Sequence, residues 1–309
     1  MDATPSVALP TDAQTGIPDR PPRPTTIRGR ELVWGSRTFV MGIINVTPDS
    51  FSGDGLMATG ADPVAAAVAQ ARQMAAEGAD LLDIGGESTR PGHEEVLESD
   101  ELRRVEPVVR AVREALPDMP LSIDSTRAAA VEAALDAGAD VINDVWGVRP
   151  SDGLARLAAE RGAPLVLMHN REEARYRNVV SEVIADLQGA IDRALGAGVP
   201  WEQLIVDPGI GFGKTAEHNL ALLHDLHALT VIGRPILLGT SRKSTIGKVL
   251  DLPAGERLEG TLATTALGVQ SGVDIVRVHD VKPNVRVARM ADAIVRGGRE
   301  HVTQTGEPR

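Results

Sequence analysis

Two hydrophobic periods take turns along this chain. From Phe39 onward, an Ala-rich stretch with apolar residues three and four apart gives way to a glycine. A short apolar run follows, and then a polar side chain. The first period is that of an amphipathic helix, and the unbroken apolar run is that of a strand buried on both faces. One copy places a helix at 64–77, Gly78, a strand at 81–84 and the polar run Gly85-Gly86-Glu87-Ser88-Thr89-Arg90. Another runs 127–137, Gly138, Val141-Ile142, then Asn143-Asp144; a third runs 153–161, Gly162, 164–168, then His169-Asn170. The last strong copy runs 261–271, Gly272, 275–278, then His279-Asp280. A glycine directly after a helix takes the left-handed conformation that ends it, so the recurrence has a mechanical cause. The same reading places strands at 39–45, 121–124, 204–207 and 235–239, and helices at 99–116, 179–197, 216–229 and 285–297.

Eight strands alternating with helices imply a parallel sheet with right-handed crossovers, and eight such units most simply close into an α/β fold of the (β/α)8 TIM-barrel type. An open doubly wound sheet is the alternative, but no Gly-x-Gly-x-x-Gly turn follows an early strand. Residues 1–30 are rich in Pro, Thr and Asp without a sustained apolar period, and read as a disordered extension. The barrel is expected over 31–298 and a flexible tail over 299–309, with a short hairpin at 31–38 turning at Gly35-Ser36.

Composition narrows the chemistry. A hydrophobic content of 42% with only 2% aromatic residues means a core of Val, Ile, Leu and Ala, as parallel strands under Ala-rich helices require. A formal charge of -11 argues against nucleic acid or an anionic membrane as partner. An anionic substrate must then be met by a local cluster of cations and N–H groups. The absence of cysteine excludes disulfides, thiolate nucleophiles and Cys-type zinc sites. Neither a signal peptide nor a bilayer-spanning apolar run is present, so a cytoplasmic protein is expected.

A barrel of this kind carries its active site at the carboxyl ends of the strands. Those ends collect Asn45, 87–90, Asp124, Asn143, Asp144, His169, Asp207, the loop after Gly239, Arg277 and His279. An amide and two carboxylates facing inward, Asn143 with Asp124 and Asp207, suit the donor and acceptor edge of a flat heterocycle such as a pterin. For Asp124, helix capping by Asp124-Ser125-Thr126 is the alternative. The glycine-rich stretch 207–214 does not fit the spacing of a P-loop, so its glycines are read as letting backbone pass close to a ligand, with Phe212 as a stacking face. Arg277 and His279 sit on alternate positions of one strand end and point to one side, suited with Lys243 to a diphosphate. Arg242 in the same turn as Lys243 reads as a solvated cation, and Ser88-Thr89-Arg90-Pro91-Gly92 either pairs a carboxylate through Arg90 or is a surface turn. His93, His218, His224, His227 and His301 are read as surface residues. No spacing suggests a protein-caged metal, although Asn45 offers one oxygen to a Mg²⁺ held mainly by phosphate and water.

These stretches together resemble a known family. Asn45-Val46-Thr47-Pro48-Asp49-Ser50-Phe51, 85–92, Ser122-Ile123-Asp124-Ser125, Ile142-Asn143-Asp144, 207–214, Ser241-Arg242-Lys243-Ser244 and Arg277-Val278-His279-Asp280-Val281 resemble, in order, the motifs of dihydropteroate synthase, over about residues 31–297. The resemblance implies a folate-pathway transferase joining 6-hydroxymethyl-7,8-dihydropterin diphosphate to 4-aminobenzoate. By carry-over it implies pterin contacts from Asp124, Asn143, Met168, Asp207 and Lys243. The diphosphate would fall to Asn45, Arg277 and His279, Asn45 acting through Mg²⁺. An aminobenzoate pocket of Thr89, Arg90, Pro91, Phe212 and Ser244 would be closed by a loop bearing Asp49 and Phe51. Catalysis would rest on Asp207, Lys243, Arg277 and His279, in a homodimer formed through the late helices. Residues 170–178 depart from the family's usual Met, Gly and Pro after Met168-His169 and are expected to shape the pocket edge differently. The alternatives are a pterin-binding paralogue without the activity, and a methyltetrahydrofolate-binding corrinoid methyltransferase domain. The latter needs neither the Thr-Pro-Asp-Ser-Phe loop nor the Ser-Arg-Lys-Ser turn.

Overall fold

The glycine stops fall where the pattern puts them: the helix ending at Ala137 hands over to Gly138, whose φ of 114° and N–H bonds to the last turn close the helix. The computed structural model describes residues 22–46, 62–86, 98–147, 149 and 153–297. The chain enters through an antiparallel hairpin, β1 (Thr25–Ile27) and β2 (Arg30–Leu32). It then runs β3 (Phe39–Asn45), α1 (Pro63–Glu77), β4 (Leu81–Gly85), α2 (Glu98–Ala115), β5 (Leu121–Asp124), α3 (Ala128–Ala137), β6 (Val141–Asp144) and α4 (Leu154–Arg161). The second half runs β7 (Leu165–Met168), α5 (Val179–Gly196), β8 (Leu204–Asp207), α6 (Ala216–His224), β9 (Leu237–Leu238), α7 (Ser244–Leu250), α8 (Leu258–Gln270), β10 (Ile275–Val278) and α9 (Val281–Val295).

β3 to β10 form one parallel sheet in the order β8-β7-β6-β5-β4-β3-β10-β9, and a bridge between Val206 and Ile236 brings its two edges together. This is a near-closed (β/α)8 barrel. Side chains alternate across each strand, so Val40, Ile44, Leu82 and Ile84 pack outward against helix residues such as Ala67 and Ala71. The inward set begins with an apolar tier: Phe39, Met41, Leu81, Val141, Val166, Ile205, Leu237 and Ile275 cluster with Ile27, Leu32 and Trp34 of the entry segment. Trp34 is buried, meets Phe39 edge to face at 5.5 Å and donates its indole N–H to Thr25 Oγ1 at 3.0 Å. A large aromatic with its one donor satisfied thus plugs the amino-terminal end of the barrel.

Several elements differ from the sequence expectation. The hairpin lies at 25–32, turning at Arg28-Gly29, rather than at 31–38. It therefore draws on residues expected to belong to the disordered extension. The expected extension over 1–21 and the tail over 299–309 lie outside the described residues. The helix expected over 216–229 ends at His224 and continues as a 3₁₀ helix, Leu226–Ile232, because buried Leu226, Leu229 and Ile232 recur every three residues. α9 starts at Val281, four residues before expectation. Pro283 sits in its first turn, where no N–H partner is required. The seven-residue α7, interrupted by Gly247, carried no periodic signal.

Candidate active site

Two residues further along, the same inward parity turns polar on four strands, with Met168 on a fifth. Asp83 follows Leu81, Asn143 follows Val141, Met168 follows Val166, Asp207 follows Ile205, and Arg277 follows Ile275. Register places Asp124 beside Asn143 and Gly85, and Met168 beside Asp207. The strands therefore stack a charged tier directly upon the plugged apolar one.

Arg277 is the hub of that tier. Its Nε donates to Asp83 Oδ2 at 2.5 Å and its Nη2 to Asp124 Oδ2 at 2.6 Å. Asp83, fully buried, also accepts from Asn143 Nδ2 at 3.0 Å. Such charge-assisted bonds are short and strong. Burial opposes the charge on Arg277, but Asp83 and Asp124 outweigh it and hold the guanidinium protonated. Burial pushes Asp124 up to about 7 against the pull of Arg277. Asp124 Oδ1 is buried with no hydrogen-bond partner among the described residues, an acceptor aimed into the barrel mouth. Its pairing with Arg277 removes the capping alternative, and the following turn is served instead by Ser125 Oγ, which accepts from Arg127 N.

Asp207 and Lys243 face each other across the β8–β9 seam. The Cβ position of Gly239 lies 3.8 Å from Asp207 Oδ2 and 4.0 Å from Lys243 Nζ. Burial raises Asp207, opposed by Lys243 and by the Gly209 N–H that Asp207 Oδ1 accepts at 2.7 Å. Burial likewise brings Lys243 down to about 8, opposed by Asp207. Lys243 Nζ also donates to Ile210 O and stands 4.3 Å from the Phe212 ring centroid, within cation–π range. Gly209 and Gly213 let this loop fold back against the chain after β7: a Cβ at either would collide with the carbonyl of His169 or of Arg171.

His279 closes the tier from β10. Its N–H donates to Ser241 Oγ at 3.1 Å, and that hydroxyl lies 3.0 Å from its Nδ1. A neutral ring accepting there carries its proton on Nε2. Asn45 ends β3, half-buried on the inward parity, and Ser244 opens α7 on the exposed rim.

Two candidates leave the site. Asp144 turns the other way and accepts from Trp146 N at 2.9 Å. Arg242, expected in solvent, is instead paired with Asp280 at 2.8 Å and takes φ 57° to reach it. Asp49, Phe51, Glu87, Thr89, Arg90 and Pro91 lie outside the described residues. Asp83 was passed over in the sequence, although a carboxylate inside the apolar run Leu81-Leu82-Asp83-Ile84 is a signal in itself.

A polar tier set at the carboxyl ends of the strands is where an α/β barrel carries its active site. Residues 41–279 match the family model described as pterin binding enzyme. The dihydropteroate synthase of Clostridium beijerinckii is 48% identical over 271 residues, spanning 87% of this chain and 99% of its own. The solved structure of the Clostridium difficile dihydropteroate synthase, in the presence of pteroic acid, is 48% identical with a TM-score of 0.79, covering 84% of this chain and 98% of that one. The Xanthomonas albilineans enzyme with 4-aminobenzoic acid is 41% identical with a TM-score of 0.82, covering 88% and 98%. The chain belongs to the dihydropteroate synthase family and is an enzyme of that activity.

Proposed function

We propose that the tier around Arg277 carries the condensation of 6-hydroxymethyl-7,8-dihydropterin diphosphate with 4-aminobenzoate. The observation behind this reading is the Arg277 guanidinium fixed between two buried carboxylates, beside the Asp207 and Lys243 pair. Asp124, Asn143 and Asp207 read the pterin edge, with Met168 packed beneath it and Lys243 completing the pocket. The bond from the pterin methylene carbon to the diphosphate oxygen breaks, and diphosphate keeps the electron pair. Positive charge then develops on a carbon conjugated to an electron-rich ring, in an SN1-type transition state. Arg277 and His279 stabilise the leaving oxygens, and the carboxylates of the tier stabilise the cation. The arylamine nitrogen supplies the new bond and afterwards sheds its extra proton, so a strong base is not needed. Phe212 and Ser244 offer it a face and a rim, and Thr89, Arg90 and Pro91 complete that pocket. Closure of the loop with Asp49 and Phe51 keeps water from capturing the cation.

No group of three or more His, Asp or Glu among the described residues could cage a metal. A single amide oxygen at Asn45 fits Mg²⁺, which takes most of its ligands from phosphate and water. Asn45 would hold the ion, which would neutralise charge on the diphosphate. A cytoplasmic location belongs to the same reading, and no helix among the described residues is long and apolar enough to cross a membrane. The exposed Leu267, Met290 and Ile294 on α8 and α9 offer an apolar face for a homodimer, which sedimentation would weigh.

The test is a coupled assay with pterin diphosphate, 4-aminobenzoate and Mg²⁺. Dihydropteroate and diphosphate should appear in equal amounts, with the rate falling when Mg²⁺ is withheld. Pterin binding without turnover would favour the inactive paralogue.

The shifted groups also set a pH profile. Asp124, raised to about 7, is a charged carboxylate with both oxygens accepting only above that value, so kcat/KM for the pterin substrate rises with pH through about 7. Lys243, lowered to about 8, is a cation only below that value, so kcat/KM falls again above it. The two limbs belong to the coupled cluster as a whole. A flat profile between about pH 6 and 9 would remove both groups from pterin recognition.

A further inference from the structure

The loop after β8 is fastened by its own Lys214 and by side chains from neighbouring segments. Lys214 Nζ donates to Gly209 O and Phe212 O, each at 3.0 Å. Lys243 Nζ takes Ile210 O, and the Tyr176 hydroxyl takes Gly213 O at 2.9 Å. Asn219 Oδ1 accepts from Gly211 N at 2.9 Å. Lys214 thus spans the loop from one side of Phe212 to the other.

The ammonium is itself aimed. Its next contact is His169 Nδ1 at 2.8 Å, while His169 Nε2 lies 3.0 Å from Asp186 Oδ2 on α5. A neutral imidazole accepts from Lys214 at Nδ1 and donates to Asp186 at Nε2, which fixes its tautomer and its plane. Burial, with the charge of Lys214 next, pushes His169 down to about 4, in keeping with a neutral ring. Asp186 is held in turn by Arg171 at 2.8 Å. None of Lys214, His169 and Asp186 has a place in the chemistry described above. Lys214 makes no hydrogen bond to Asp124, Asn143 or Asp207. Its bonds go to the loop and to the residue after β7.

We propose that Lys214, oriented by His169 and Asp186, is a positioning residue for 4-aminobenzoate: it fixes the glycine-rich loop so that Phe212 presents its ring to the arylamine. The proposal rests on the assignment of Phe212 to the aminobenzoate pocket. It separates the two substrates, because the pterin contacts stand on strand ends to which Lys214 makes no hydrogen bond, only the charge of Asp207 reaching it.

Three variants test it: Lys214→Met, Phe212→Ala and the double variant, with steady-state kinetics for each substrate and direct titration of the pterin ligand. Losing the hydrogen bonds that one buried amine makes to several carbonyls is worth about ten-fold or more in affinity. Lys214→Met should therefore raise KM for 4-aminobenzoate about ten-fold while the pterin Kd stays within about two-fold. If the lysine acts through the ring, the double variant is no worse than Phe212→Ala alone. Additive losses, a wild-type KM in Lys214→Met, or an equal loss of pterin affinity would each overturn the positioning role. Phe212→Ala with an unchanged KM would instead retire the pocket assignment, a separate failure. Should Lys214→Met not fold, Asp186→Asn serves, since Asp186 is partly exposed on α5 and loosens only the far end of the relay. A few-fold rise in the same KM alone supports the proposal, and no rise overturns it.

Discussion

Arg277→Ala lowers kcat/KM by about a thousand-fold, the scale on which removing a preorganised charge from a developing oxyanion is felt. The guanidinium does two things at once, and the variant separates them. Toward the substrate it balances the departing diphosphate, a loss that appears in kcat. Toward the protein it balances Asp124, whose carboxyl burial already raises to about 7. Without Arg277, which pulls that value down, Asp124 binds its proton more tightly still. A carboxyl raised above its unfolded value adds stability that is full at low pH and is lost as pH rises through the folded value. Removing Arg277 also strands the buried Asp83, so the variant should melt below wild type throughout, and by more at about pH 8 than at about pH 5. Kinetics within about three-fold of wild type would take Arg277 out of the transition state.

Asp83→Ala is the second large effect, and it strikes fold and activity together. The carboxylate is fully buried and bonded to Arg277 and Asn143 through one oxygen. Removing one partner of a buried ion pair strands the other, at a cost of about 3–5 kcal/mol. Arg277 then has only Asp124 to fix its orientation. Asn143 loses the acceptor that turns its amide toward the pterin edge. We expect a lower denaturation midpoint at unchanged m-value and a drop in kcat/KM of about 10². Wild-type stability combined with wild-type turnover would show that Asp124 alone suffices to hold the arginine.

Much of this architecture was legible because parallel strands are buried on both faces. An apolar run that ends on Asn45, Asp124, Asp207 or His279 stands out against the surrounding Val, Ile and Leu. The same contrast marks Arg277 within Ile275-Val276-Arg277-Val278, and the structure gathers Asp124, Asn143 and Arg277 through a shared inward parity. Asp83 carried the same contrast. It differs in lying inside its run, two places before Gly85, rather than at the end. The Lys214–His169–Asp186 relay was not legible at all. It depends on the glycine-rich loop folding back over the end of β7, and no local period encodes such a return. Asp144 and Arg242 show the converse: a polar residue at a strand end or in a basic turn is as readily used by its own backbone as by a ligand. The hairpin was displaced because Trp34 and Ile27, which set its packing, answer to the barrel interior rather than to a local turn signal.

The seam between β8 and β9 makes the barrel mechanically uneven. Seven strand neighbours are laced by ladders, whereas this one is held by a single bridge at Val206 and Ile236, beside a strand of two residues. Fewer rungs mean a softer spring, and local opening favours the joint with the least to break. That joint separates Asp207 from Gly239 and Lys243. Any widening of the cylinder is expected there first, as in a split ring, along the line where the Asp207 strand end meets the glycine-rich loop.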